Sequence, residues 1–161
     1  MALQLAKSVE SVEPCPVCDS TPRVLVVMRH PAMLRLTREL LMRECGCWVA
    51  TEARSGPLLA RVLDELHPDL LVIDAADFPA CCVAALDDHM PRARTIVIGP
   101  EPDSAYRDVA LGHGAGAWLP RDEVADRLGR EMRRLLGCHH DPCPPGHPSQ
   151  PATRGAPATV F

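Results

Sequence analysis

The sequence predicts a three-layer α/β domain, a parallel sheet covered by helices on both faces. Two observations predict it. The apolar runs VLVVM (24–28), LLVID (70–74) and TIVI (95–98) lack polar-out alternation, so strands built from them have no face suited to water. The segments between them carry apolar residues at helical spacing, which is what a covering layer needs.

Each element follows from local signals. Val24–Met28 is the first strand, and His30-Pro31 opens a helix over 31–44, since proline is tolerated in a first turn. Leu34, Leu40 and Leu41 give that helix an apolar face. Trp48–Thr51 is a short second strand. Ser55-Gly56-Pro57 starts a helix that ends near Leu66, because a residue before Pro68 is steered out of the helical region. Leu70–Asp74 is the third strand, Ala80–His89 a weaker helix, and Thr95–Ile98 the fourth strand. Asp103 or Ser104 caps a helix to about His113, Ala117–Leu119 is a short fifth strand, and a helix over Asp122–Leu136 carries Val124, Leu128, Met132 and Leu135 on one stripe.

The chain divides into three zones. Residues 1–22 form a leader containing CPVC, 23–136 the α/β domain, and 137–161 a Cys/His segment followed by a proline-rich tail expected to be disordered. With 161 residues and 47% apolar content the chain suits one domain, and 3% aromatics leave Leu, Val and Ala to fill its core. A net charge of −4 argues against a broad nucleic-acid footprint. The opening residues lack an export signal and no run reaches membrane length, so a cytoplasmic location without membrane contact is expected.

The stretch PDLLVID (68–74) delivers Asp74 to the carboxyl edge of the sheet, where open α/β folds place their sites. Asp74 is then either a functional carboxylate or a strand-end residue that caps the next loop.

Over roughly 23–136 the sequence resembles the receiver domain of two-component response regulators. The resemblance rests on VLVVxxHP, EARSGPLLARVLDELHPDLLVID and LGHGAGAWLPRD. It implies a flavodoxin/CheY-like doubly wound sheet of order 2-1-3-4-5 with Asp74 as phosphoacceptor. It also implies two magnesium-binding acids after strand one, a hydroxyl ending strand four and a lysine after strand five. Those positions here are Met28 and Arg29, Gly99, and Arg121 preceded by Pro120, while the strand-five aromatic is Trp118.

A thioether and a guanidinium supply none of the oxygen ligands magnesium takes, so magnesium is not expected. Arg29 or Arg121 can instead pair with Asp74. The expectation is a degenerate pseudo-receiver held by an Arg29–Asp74 pairing, working through a kinase, a regulator or a second copy. The alternative is a phosphoaccepting regulator in a two-component phosphorelay, linked to transcription. In the resemblance the strand-four hydroxyl moves toward the phosphoryl group and the aromatic follows it; Gly99 has no hydroxyl to move, and Trp118 is read first as a core indole.

No DNA-binding unit is expected after Leu136, and Arg127, Arg130, Arg133 and Arg134 read as a solvated helix face. No catalytic residues are expected: His30 and His113 are the histidines assigned near the cleft, without a nucleophile motif. Cys15 and Cys18, with Cys138, His139, His140 and Cys143, offer a closed structural zinc site that ties both ends of the domain, with unligated thiols as the other reading. Cys45, Cys47, Cys81 and Cys82 read as small buried apolar residues.

Overall fold

The structure, a computed structural model, describes residues 22–44, 48–52, 57–77, 86, 90, 94–100 and 104–138. Five strands, β1 (Arg23–Val27), β2 (Trp48–Glu52), β3 (Leu70–Asp74), β4 (Thr95–Gly99) and β5 (Ala117–Pro120), pair in parallel in the order β2-β1-β3-β4-β5. The chain first builds outward from β1 to β2, then returns to the other side of β1 with β3. Open α/β sheets place their sites at the carboxyl ends of the strands where the order reverses, here β1 and β3, and β3 ends on Asp74.

Side-chain alternation sends each strand's residues to two separate cores. Val24, Val26, Leu70, Val72, Ile96, Ile98 and Leu119 pack on one face with α1 (Pro31–Glu44) and α4 (Val124–Leu136). Leu25, Val27, Leu71, Ile73 and Val97 pack on the other with α2 (Pro57–Leu66) and Ala110 of α3 (Ser104–Gly112). Every residue of β3 and β4 is buried. Burying each large aliphatic side chain stabilises the fold by about 1.5–3 kcal/mol, which explains why these strands show no polar alternation.

Helix ends follow from their sequences. Pro31 opens α1, and the Leu34 N–H bonds the His30 carbonyl at 3.0 Å. Val124, Leu128 and Met132 are the buried stripe of α4, with Leu135 packed at its margin. Gly137, at φ 71°, closes α4 in a Schellman motif in which the Cys138 N–H reaches the Arg133 carbonyl at 2.9 Å. Glu44 of α1 pairs with Arg133 of α4. Gly129 leaves room for that carboxylate, since a Cβ there would fall on it.

After α2 the chain turns through His67, which has φ 45°. A left-handed conformation strains a residue with a Cβ, so His67→Gly is expected to raise stability by up to about 1 kcal/mol in urea unfolding.

Some boundaries differ from the sequence expectation. Arg121–Glu123 form a 3-10 turn, and α4 starts at Val124 rather than Asp122. Pro120 holds extended backbone at φ −63° and ψ 149°, so the chain needs a tight turn before a helix can begin. Met28 lies just past β1 rather than in it. The helix expected over 80–89 lies outside the described residues except for Leu86; Leu86 and Met90 are buried, and the Met90 N–H bonds the Leu86 carbonyl at 2.8 Å. Residues 1–21 of the leader, residues 139–161 and Cys45, Cys47, Cys81 and Cys82 also lie outside them. Among the described residues no helix is long and apolar enough to cross a membrane.

Candidate functional site at the carboxyl edge of β3

Asp74 is the last residue of β3, and its side chain is 8% exposed. Its Oδ1 accepts the Ala76 N–H at 2.9 Å, an Asx-type turn that fixes the 3-10 turn Ala75–Asp77 to the strand end. Its Oδ2 accepts Nη2 of Arg121 at 2.8 Å. The carboxylate is thus both a loop cap and an ion-pair partner.

The sequence expectation assigned that ion pair to Arg29; the guanidinium at 2.8 Å is that of Arg121. β5 lies two strands from β3, roughly 10 Å away at ordinary strand spacing, a gap suited to a long arginine side chain leaving the end of β5. A charge-assisted bond to a nearly buried carboxylate is strong, but Arg121 is 41% exposed and water moderates its contribution. Arg29 is exposed at the bend after β1.

Met28 is buried, not presented to the edge. It belongs to the core cluster shared with α1 and α4, and the Thr37 hydroxyl contacts its sulfur at 3.6 Å. At the two positions where the resemblance places magnesium-binding acids, the structure therefore has a buried thioether and an exposed guanidinium. Neither side chain offers an oxygen ligand, so this pair does not fit magnesium.

At the end of β4, Gly99 faces Trp118 of β5. A Cβ built on Gly99 would stand 2.9 Å from Cε2 of that indole and still closer to Cζ2 and Cη2. Trp118 is buried in the core cluster on the α2 and α3 face, as the core reading expects. It stacks on Tyr106 of α3, with ring centroids 6.4 Å apart and planes 4° from parallel. Tyr106 was not singled out from sequence, although it is the chain's single tyrosine and sits on a helix that flanks β5.

The remaining residues disperse. His30 is exposed where α1 begins. His113 lies at the opposite edge of the sheet from Asp74, contrary to expectation: α3 runs back along the sheet, and Gly116 bonds the carbonyl of Thr95, the first residue of β4. Arg127 pairs with Glu123 and Glu131, Arg133 with Glu44, and Arg134 with Glu131. The hydrogen bond that Arg127 donates to the Glu123 carboxylate raises the guanidinium pKa above its usual range. Three of the four arginines on this helix face are therefore paired with carboxylates. Among the described residues no three His, Cys, Asp or Glu side chains gather to hold a metal. Cys138 is a partly exposed thiol at the end of α4, while Cys15, Cys18, His139, His140 and Cys143 lie outside the described residues.

No family model and no curated protein matches the chain. Solved structures do. The chain is similar to a two-component response regulator of the LuxR family from Aurantimonas sp. SI85-9A1, with TM-score 0.63 and 23% identity over 73% of this chain and 86% of that one. It is similar to the response regulator domain of Thermotoga maritima CheB, with TM-score 0.63 and 20% identity over 73% and 98%. It is also similar to the receiver domain of the Francisella response regulator 1452, with TM-score 0.63 and 15% identity over 73% and 98%. These likenesses establish the fold: a CheY-like receiver-domain fold of the flavodoxin-like α/β class.

Proposed function

We propose that the chain is a receiver-type signalling module, not an enzyme, and that it works through contacts with other proteins. The observation that carries this reading is the setting of Asp74, which stands at the carboxyl edge of a receiver fold with both oxygens engaged, by Ala76 and by Arg121. A carboxylate held in this way needs no phosphoryl group to satisfy its partners. The Met28–Arg29 pair removes the oxygen ligands that would bring magnesium to the edge. Asp74 then serves as a structural tie between β3 and the end of β5, in a degenerate receiver whose output is its surface.

A second reading keeps Asp74 as a phosphoacceptor in a two-component phosphorelay, with a link to transcription. The comparisons favour it, since the similar structures are response regulators and their receiver domains. In that reading Arg121 releases the carboxylate and pairs with the phosphoryl oxygens, a role that suits a guanidinium.

Acetyl phosphate with magnesium separates the two readings by intact mass. The first expects an unmodified chain. A stoichiometric gain of one phosphoryl group, absent from Asp74→Asn, overturns it and establishes the second.

A further inference from the structure

We infer that the Trp118 indole is a fixed wedge which occupies the side-chain space of residue 99 and thereby sets the position of α3, independently of the chemistry at Asp74. The inference goes beyond the functional reading, because it rests on the packing of β4, β5 and α3 and applies to either state of Asp74.

Gly99 ends β4 beside Pro120 of β5, one residue past the Asp74–Ile98 register pair. The six-membered ring of Trp118 lies where any larger side chain at position 99 would begin. Trp118 as a whole is 7% exposed and packs in the core cluster that contains Ala110 of α3. Its stacking with Tyr106 extends the contact to a residue that is 56% exposed, so the seating of a buried indole reaches the surface of α3. One glycine, one indole and one phenol thus form a continuous link from the carboxyl edge of the sheet to an external helix face.

Glycine is needed here for its missing Cβ, not for its backbone freedom, since Gly99 lies in regular β4 and is not among the glycines with positive φ. Two bulky groups cannot share one volume in a close-packed core. A side chain at 99 must therefore displace the indole, and the space for it exists. Trp118 also lines a cleft of about 400 Å³ between α3 and α4, bordered by Arg107, Leu111, Pro120 and Arg127. A displaced ring turns into that cleft, leaves Tyr106 and exposes its edge. With glycine in place the ring has one seat, and the α3 face is constitutive rather than switched.

The test uses the full chain with Trp48→Phe, so that Trp118 is the one tryptophan reporter. Gly99→Ala and Gly99→Thr are expected to retain far-UV circular dichroism, shift Trp118 emission to the red and raise acrylamide quenching several-fold. Beryllofluoride with magnesium is expected to leave Trp118 emission and quenching unchanged in the parent. Unchanged quenching in a folded Gly99→Thr variant overturns the inference, as does a beryllofluoride-induced change in the parent. Beryllofluoride bound at Asp74 with Trp118 unmoved contradicts the structural-tie reading of Asp74 and leaves the wedge standing. Where Gly99→Thr does not fold, the cycle of Gly99→Ala with Trp118→Ala decides. Gly99→Ala is expected to lower the urea midpoint in the parent and to leave it unchanged once the indole is gone; an equal loss in both backgrounds overturns the wedge.

Discussion

Met28→Asp is expected to lower the unfolding free energy by about 3–5 kcal/mol, the penalty for leaving a charge buried without a partner. Met28 is 1% exposed within the cluster that joins α1, α4 and the sheet, and its polar neighbour there is the Thr37 hydroxyl. One hydroxyl cannot replace the hydration of a carboxylate. Met28→Leu, which keeps volume and polarity, is expected to cost less than about 1.5 kcal/mol. Urea denaturation followed by circular dichroism measures both. Near-equal stability of the two variants would mean that residue 28 faces the sheet edge and water. The result also bears on engineering, because restoring an acid here to build a magnesium site works against the packing of α1.

The second large effect concerns Arg121. Arg121→Met is expected to cost about 1–2 kcal/mol, less than for a fully buried pair because the guanidinium is 41% exposed. The loss arises mainly at Asp74, which keeps the Ala76 N–H but loses the charge facing its other oxygen. Asp74→Asn in the Arg121→Met background is therefore expected to cost less than it does alone. A double-mutant cycle measures this, with a coupling of roughly 0.5–3 kcal/mol anticipated for residues in contact. Strict additivity would show that the two side chains do not share the bond.

Much of the fold was legible because its signals are local or periodic. β3 and β4 are unbroken apolar runs buried on both faces, and the α4 stripe of Val124, Leu128 and Met132 repeats every four residues. Boundaries were harder to read where a single residue redirects the chain, as Pro120 does before α4. The site was legible in part. Asp74 has its address because it ends a buried strand, whereas its partner depends on which side chain crosses β4, and no local pattern encodes that choice. Arg29 is nearer in the expected topology and Arg121 makes the bond. His113 is hidden from sequence for a related reason: α3 runs back along the sheet, so its end lies at the edge where β4 begins. The glycine at 99 was read as a missing hydroxyl; its second meaning, room for an indole from the neighbouring strand, becomes visible only with Trp118 in position.

The Asp74 carboxylate is already engaged, and the Ala76 amide that donates to it is its most direct reporter. In ¹H–¹⁵N NMR spectra of the full chain, titration with beryllofluoride and magnesium is expected to leave the Ala76 and Arg121 resonances in place. Arg121→Met is expected to move Ala76 without either ligand. A saturable shift of Ala76 in the unmodified sequence, lost in Asp74→Asn, would show instead that Asp74 opens to accept a phosphoryl mimic.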